Sequence, residues 1–161
     1  MHSNIYQIGL KPFDKEDWRE PDYYYENSDD FADYIGDRVD NEQDREEEIV
    51  SLANVIKDVF AYAGNGMFVY MGKAALNDFK EKWDAAIKQA VNELNPDNMT
   101  KEMRLFRLRC LTEETHLESS FRVDIDDNGY ANAIADLFVW AESNLTLGDK
   151  FYVGAVIDYH F

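Results

Sequence analysis

The clearest metal-binding spacing in the chain is the sequence DIDDNG at residues 124–129. Oxygen-bearing side chains occupy its first, third and fifth positions and a glycine its sixth, as in the first half of an EF-hand calcium loop. The twelfth position, where a bidentate glutamate normally completes the coordination, is Ala135. The loop therefore predicts at most a weak Ca²⁺ or Mg²⁺ site, whose candidate ligands are Asp124, Asp126, Asn128 and Asp136. We favour a strand-to-helix turn in which Asp127 or Asn128 caps the next helix, because both residue types are preferred there for local hydrogen bonding alone.

A second group of residues combines histidine with carboxylates. His116 lies between Glu114 and Glu118, and Asp158 is followed two residues later by His160. Residues two apart share one face of an extended chain, so the two segments could form a mixed histidine and carboxylate metal site if they were neighbours. Otherwise they are polar residues on the exposed side of a sheet, which is the interpretation we favour.

The glycines and the cysteine of this chain do not match known phosphate-binding loops or nucleophile sites. The glycines at positions 64, 66 and 72 match neither the Walker loop nor the dinucleotide fingerprint, so we interpret them as helix-cap and turn residues. Cys110 is the one cysteine and lies close to Phe106 and Leu108, which is typical of a packing residue rather than a nucleophile. The sequence therefore favours a protein without enzymatic activity.

Negative charge is concentrated in the N-terminal third of the chain. The protein has 33 acidic and 16 basic residues, a net charge of -17, and residues 1–50 hold 16 of the acidic and 5 of the basic ones. Such a charge repels phosphate backbones and anionic lipid surfaces and favours basic partners. We therefore expect neither direct nucleic-acid binding nor membrane binding. Between residues 14 and 48 aromatic side chains are interleaved with the carboxylates, which predicts ordered structure rather than a solvating tail.

These features predict a non-enzymatic protein whose acidic surface binds a basic protein, such as a nucleic-acid-binding protein. In the extreme form its carboxylates take the place of phosphates in a cationic groove, as in a nucleic-acid mimic or an inhibitor. The expected contacts are the carboxylates of Asp29, Asp30, Asp33, Asp37, Asp40 and Asp44 and the rings of Tyr24, Tyr25 and Tyr34. Two alternatives stay open. One is a small enzyme or ligand-binding domain that holds a divalent cation at residues 124–129, and the other is a structural or accessory subunit whose charge only maintains solubility.

Hydrophobic periodicity predicts the elements that would position these residues. The predicted helices are residues 43–63, 76–94 and 131–143. The predicted strands are residues 4–10, 67–71, 104–111, 117–125 and 150–160. Between the first strand and the first long helix we predict an extended excursion with a short helix near residues 29–36. This order of elements predicts an α+β two-layer sandwich, in which three main helices pack on a mixed, mainly antiparallel sheet of about five strands.

Length and composition predict a single globular domain over residues 1–161, with an acidic, aromatic-containing excursion at about residues 11–42. A single cysteine cannot form an intramolecular disulfide, and the first residues lack the basic and apolar regions of a secretory signal. No apolar run approaches the roughly 18–20 residues of a membrane-spanning helix. We therefore expect a cytoplasmic location.

Overall fold

The computed structural model describes residues 2–28, 31–93, 120–126 and 130–161. Within these ranges the chain forms seven strands, three α-helices and two 3₁₀ helices. The strands are β1 (His2–Gly9), β2 (Tyr34–Arg38), β3 (Phe60–Tyr62), β4 (Met67–Tyr70), β5 (Arg122–Ile125), β6 (Asn132–Ala133) and β7 (Lys150–His160). The α-helices are α1 (Glu42–Ile56), α2 (Gly72–Asn92) and α3 (Ile134–Asn144), and the 3₁₀ helices are Lys15–Asp17 and Pro21–Asn27.

The seven strands form one sheet in the order β3-β4-β7-β1-β5-β6, and β2 also pairs with β7. The pair β1 and β5 is parallel, and every other pair of described strands is antiparallel. The predicted α+β class with a mixed, mainly antiparallel sheet is therefore confirmed. The described sheet has seven strands rather than about five, because the short strands β2, β3 and β6 carry too little hydrophobic pattern to be predicted.

Both faces of the central strands are covered. Tyr6 and Ile8 of β1 pack with buried residues of all three α-helices in the larger core cluster. Ile5, which points to the opposite face, packs with Tyr24 and Tyr159 in a smaller cluster. The helices thus share one face of the sheet, as predicted. The other face is covered by residues 11–28, which we call the outer segment.

The predicted helix over residues 43–63 extends too far. Helix α1 ends at Ile56, and the chain turns before it forms β3. Val59 and Phe60 continue the helical spacing and are buried, but they reach the core from the turn and from β3, which pairs with β4. Periodicity alone therefore could not locate the end of the helix.

The short helix predicted near residues 29–36 is wrong. Residues Tyr34–Arg38 pair with β7 as strand β2, which buries Ile35 against the sheet. The other predicted helices are observed as α2 and α3, and the strands predicted at 4–10, 67–71 and 150–160 are observed as β1, β4 and β7.

The strand predicted at residues 117–125 is described from residue 120 onwards and contains β5. Asp124 of this strand is fully buried. The strand predicted at 104–111 lies outside the described residues, as do Cys110 and His116. Among the helices that the structure describes, none is long and apolar enough to cross a membrane.

Candidate protein-binding surface

The buried amide of Gln7 in β1 anchors the outer segment to the sheet. Gln7 Nε2 donates to the carbonyl oxygen of Asp17 at 3.1 Å, and its Oε1 accepts from the backbone N–H groups of Arg19 and Ala155 at 3.1 and 3.0 Å. A Cβ at position 154 would lie 2.6 Å from this Oε1, so Gly154 makes room for the amide. The segment that carries much of the acidic charge is therefore held by defined contacts.

Tyr24 is the second anchor of the outer segment rather than a surface contact. It is 1% exposed, and its hydroxyl donates to Oδ2 of the fully buried Asp124 at 2.9 Å. Burial and the adjacent carboxylate raise the pKa of Tyr24, so the hydroxyl remains a donor at neutral pH. The prediction that Tyr24 contacts a partner is therefore wrong in this structure, because the ring fills the smaller core cluster.

The other two predicted tyrosines lie at the surface. Tyr25 is 55% exposed and Tyr34 is 51% exposed. The Tyr34 ring stacks on His160 with ring centroids 5.4 Å apart, which fixes its orientation while one side stays accessible. Both rings are available for contact with another protein.

The predicted carboxylates that the structure describes are all exposed. Asp33 lies with Oδ2 3.3 Å from His160 Nδ1, and Asp40 accepts a hydrogen bond from Arg38 Nε at 2.8 Å. This hydrogen bond lowers the pKa of Asp40 and keeps it charged. Asp37 and Asp44 are exposed, and among the described residues neither forms an ion pair. Asp29 and Asp30 lie outside the described residues.

Further carboxylates between residues 14 and 47 are also exposed. They are Asp14, Glu16, Asp17, Glu20, Asp22, Glu26, Glu42 and Glu47. We call this set, together with Asp33, Asp37, Asp40 and Asp44, the acidic surface.

The arginines of the same region are half-buried. The Arg19 guanidinium lies 4.1 Å from the centre of the Tyr23 ring. Arg38 pairs with Glu20 at 2.6 Å and with Asp40 at 2.8 Å. Arg38 therefore offsets part of the charge of Glu20 and Asp40, while the acidic surface keeps an excess of exposed carboxylates over exposed basic side chains.

Arg45 of α1 fills a gap at one edge of β7. Strand β4 pairs with β7 as far as Tyr152, and β2 pairs with it from Ile157. Between them no described strand pairs with β7 on that edge, although the Val153 N–H donates to the Gly66 carbonyl and the Val156 carbonyl accepts from the Val39 N–H. Arg45 Nη2 donates to the carbonyl oxygens of Val153 and Gly154 at 2.6 and 2.7 Å, and Nε donates to Gly154 at 3.1 Å. Burial lowers the pKa of this guanidinium, but arginine remains charged.

Trp18 brings three parts of the acidic surface together. Its ring lies 4.5 Å from the Arg45 guanidinium, 5.5 Å from Lys15 Nζ and 6.0 Å from the Arg38 guanidinium. These cations belong to α1, the first 3₁₀ helix and β2. The three elements that carry these cations therefore meet around Trp18.

The candidate metal ligands do not face one another. Asp124 points into the smaller core, Asp126 Oδ2 accepts from Trp140 Nε1 at 2.8 Å, and Asp136 Oδ2 accepts from the Ala133 N–H at 3.1 Å. Asn128 lies outside the described residues. Ala133, not Asp127 or Asn128, is the N-cap of α3, so the predicted cap is wrong. Within the described ranges no three histidine, cysteine or acidic side chains are grouped to hold a metal ion.

Asp158 and His160 do share a face of β7, and the structure adds His2 to them. His2 pairs with His160 across β1 and β7, and His2 Nδ1 lies 3.0 Å from Asp158 Oδ2. The two histidine rings meet edge to face at 5.3 Å. Sequence alone could not find His2, because its neighbour depends on the register of two strands at opposite ends of the chain.

Comparisons with protein-family models, with curated proteins and with solved structures found no match to this chain. The functional argument therefore depends on the geometry and the charges described above.

Proposed function

We propose that this protein is a non-enzymatic binding domain whose acidic surface engages a basic surface of another protein. The observation that carries the proposal is the unequal exposure of the charges, since the carboxylates of the acidic surface are exposed whereas Arg19, Arg38 and Arg45 are partly buried. An acidic surface of this kind steers a cationic partner and raises its rate of association. The exposed rings of Tyr25 and Tyr34 add the aromatic contacts that protein interfaces favour.

The partner we propose is a protein with a cationic groove, such as a nuclease or another nucleic-acid-binding protein. The carboxylates would stand in for phosphates, so the protein would act as a nucleic-acid mimic or inhibitor. A fixed surface supports this role, since the Gln7 and Tyr24 anchors hold the outer segment before the partner arrives and lower the entropy lost on binding. A cytoplasmic location is part of the same proposal.

The test compares two variants that lose the same charge. In the first, Asp33, Asp37 and Asp44 of the acidic surface become asparagine. In the second, three exposed carboxylates outside the acidic surface are neutralised, by Asp58→Asn, Asp78→Asn and Glu81→Gln. Proteins retained by each variant and by the wild type from the native host's lysate are identified at low and high salt.

We expect the wild type and the second variant to retain the same basic protein at low salt and to release it at high salt, since exposed ion pairs are screened. The first variant should lose this protein. Equal retention by both variants, or retention that does not depend on salt, would show that the acidic surface does not bind the partner.

A further inference from the structure

An open cleft of about 970 Å³ lies between the end of β1 and the outer segment. The rings of Phe13, Trp18 and Tyr23 line it. Ligand pockets in proteins typically measure about 300–1,000 Å³, so the cleft has room for a long side chain from another protein.

The charges around the cleft are mainly negative, with five carboxylates and two basic side chains among the lining residues. Glu20 is paired with Arg38. Glu16, Asp17 and Asp22 are exposed, and within the described part of the chain their side chains make no ion pair. The cleft therefore offers three charged acceptors to an incoming cation.

The aromatic rings of the cleft already hold cations in this structure. Arg19 lies over Tyr23 at 4.1 Å, and Arg45 and Lys15 lie over Trp18 at 4.5 and 5.5 Å. Arg38 lies 6.0 Å from the same ring. None of these three cations of Trp18 lines the cleft, so the part of Trp18 that does line it is accessible to a ligand. Aromatic faces attract cations, and a planar guanidinium both stacks on a ring and donates in a fork to a carboxylate.

We propose that this cleft receives an arginine side chain of the basic partner. The guanidinium stacks against Trp18 and donates to the carboxylates of Asp17 and Asp22 at the rim. This inference rests on the proposed function and makes it more specific, because it places one anchoring contact within a surface that otherwise acts through its summed charge. Arginine fits better than lysine, since an ammonium group lacks the planar fork.

The first experiment measures the affinity of a hexa-arginine peptide by calorimetry at low salt. The cleft variant carries Asp17→Asn and Asp22→Asn, and the control variant carries Asp37→Asn and Asp44→Asn, so both remove two charges from the acidic surface. If the cleft holds a guanidinium, the cleft variant should bind about three- to tenfold more weakly than the control variant. Circular dichroism of both variants checks that the fold is retained.

The second experiment follows the indole N–H resonance of Trp18 by NMR while N-acetylarginine amide is added. The resonance is assigned as the one missing from the Trp18→Phe spectrum. It should shift with arginine amide and stay in place with neutral N-acetylnorleucine amide.

The two experiments separate the proposals. Equal affinities of the two charge variants, or an unmoved Trp18 resonance, would overturn the arginine site while the wild type still bound the peptide through the acidic surface. A wild-type protein that did not bind hexa-arginine at low salt would contradict the proposed function and the arginine site together.

Discussion

Replacement of Arg45 by methionine tests whether the guanidinium completes the edge of β7. Methionine keeps an apolar stem of similar length but leaves the carbonyl oxygens of Val153 and Gly154 without the donor that each now has at 2.6 or 2.7 Å. Hydrogen bonds from charged donors contribute about 1.5–3 kcal/mol each. The lower value applies to a half-buried site that water can reach, so the two carbonyls account for about 3 kcal/mol.

Two smaller terms act in opposite directions. Loss of the stacking on Trp18 increases the loss of stability by about 0.5–1 kcal/mol. Removal of a partly buried charge decreases the loss of stability by a similar amount. We therefore expect Arg45→Met to lower the free energy of unfolding by about 3 kcal/mol. For a chain of this size that corresponds to a fall in melting temperature of roughly 6–12 °C.

The assay is urea and thermal unfolding of the wild type, Arg45→Met, Arg45→Lys and Arg38→Met. Lysine keeps the charge but lacks the fork, so Arg45→Lys should fall between the wild type and the methionine variant. Arg38 makes ion pairs with Glu20 and Asp40, whose side chains are mostly exposed, and Arg38→Met should cost less than about 1 kcal/mol. A loss below about 1 kcal/mol for Arg45→Met would refute the reasoning, since the carbonyls would then be satisfied without the guanidinium.

Three further predictions concern the anchors of the outer segment and the half-buried Tyr62. Gly154→Ala should destabilise the protein by about 1–3 kcal/mol, because the new Cβ would lie 2.6 Å from Gln7 Oε1. Urea unfolding measures the loss, and hydrogen exchange of the Arg19 and Ala155 amides should accelerate. Tyr24→Phe removes the donor to buried Asp124 and should cost about 1–3 kcal/mol in the same unfolding assay. Burial raises the pKa of Tyr62 to about 12. Its contribution to stability is complete well below pH 10, the pKa of the unfolded tyrosine, and is lost as the pH rises towards 12. Urea midpoints between pH 9 and 11 should therefore fall less steeply for Tyr62→Phe than for the wild type.

Each of these predictions has a contrary result. Unchanged stability of Gly154→Ala would mean that Gln7 moves aside without loss of its hydrogen bonds. Unchanged stability of Tyr24→Phe would mean that water replaces the hydroxyl beside Asp124. Parallel pH profiles for the wild type and Tyr62→Phe would mean that the Tyr62 hydroxyl ionises as it does in the unfolded chain.

Long elements with a clear hydrophobic period could be predicted from the sequence. Strand β7, predicted at residues 150–160, is observed as Lys150–His160, because its apolar run directly follows the turn residues Gly148 and Asp149. The short strand β2 could not be predicted, since Ile35 is its one aliphatic core residue and the strand exists through pairing with β7. Its structure depends on tertiary contacts rather than on local pattern.

Composition predicts that this surface is negatively charged, but it does not predict which of the tyrosines are buried and which are exposed. Tyr24, Tyr25 and Tyr34 occur in similar acidic contexts, yet only Tyr24 is buried. A signal for this was present in β7, whose nearly continuous apolar run FYVGAVI indicates a strand covered on both faces. The face of β7 that the helices do not cover must then be covered by apolar groups of the excursion. The aromatic residues of the excursion can provide them.

The residues that anchor the outer segment are different from the exposed carboxylates, so stability and binding can be tested separately. The outer segment is held by Gln7 and Tyr24, neither of which is exposed, whereas Asp37 and Asp44 are exposed and do not take part in the anchoring contacts. Mutual repulsion among so many surface carboxylates opposes the compact state. Replacing a few of them by amides relieves this repulsion, which offsets the lost interaction of Asp44 with the N-terminus of α1, so stability should change little. A loss of binding in those variants then reports on the surface itself. Had the carboxylates been part of the anchors, stability and binding would fall together and the two roles could not be distinguished.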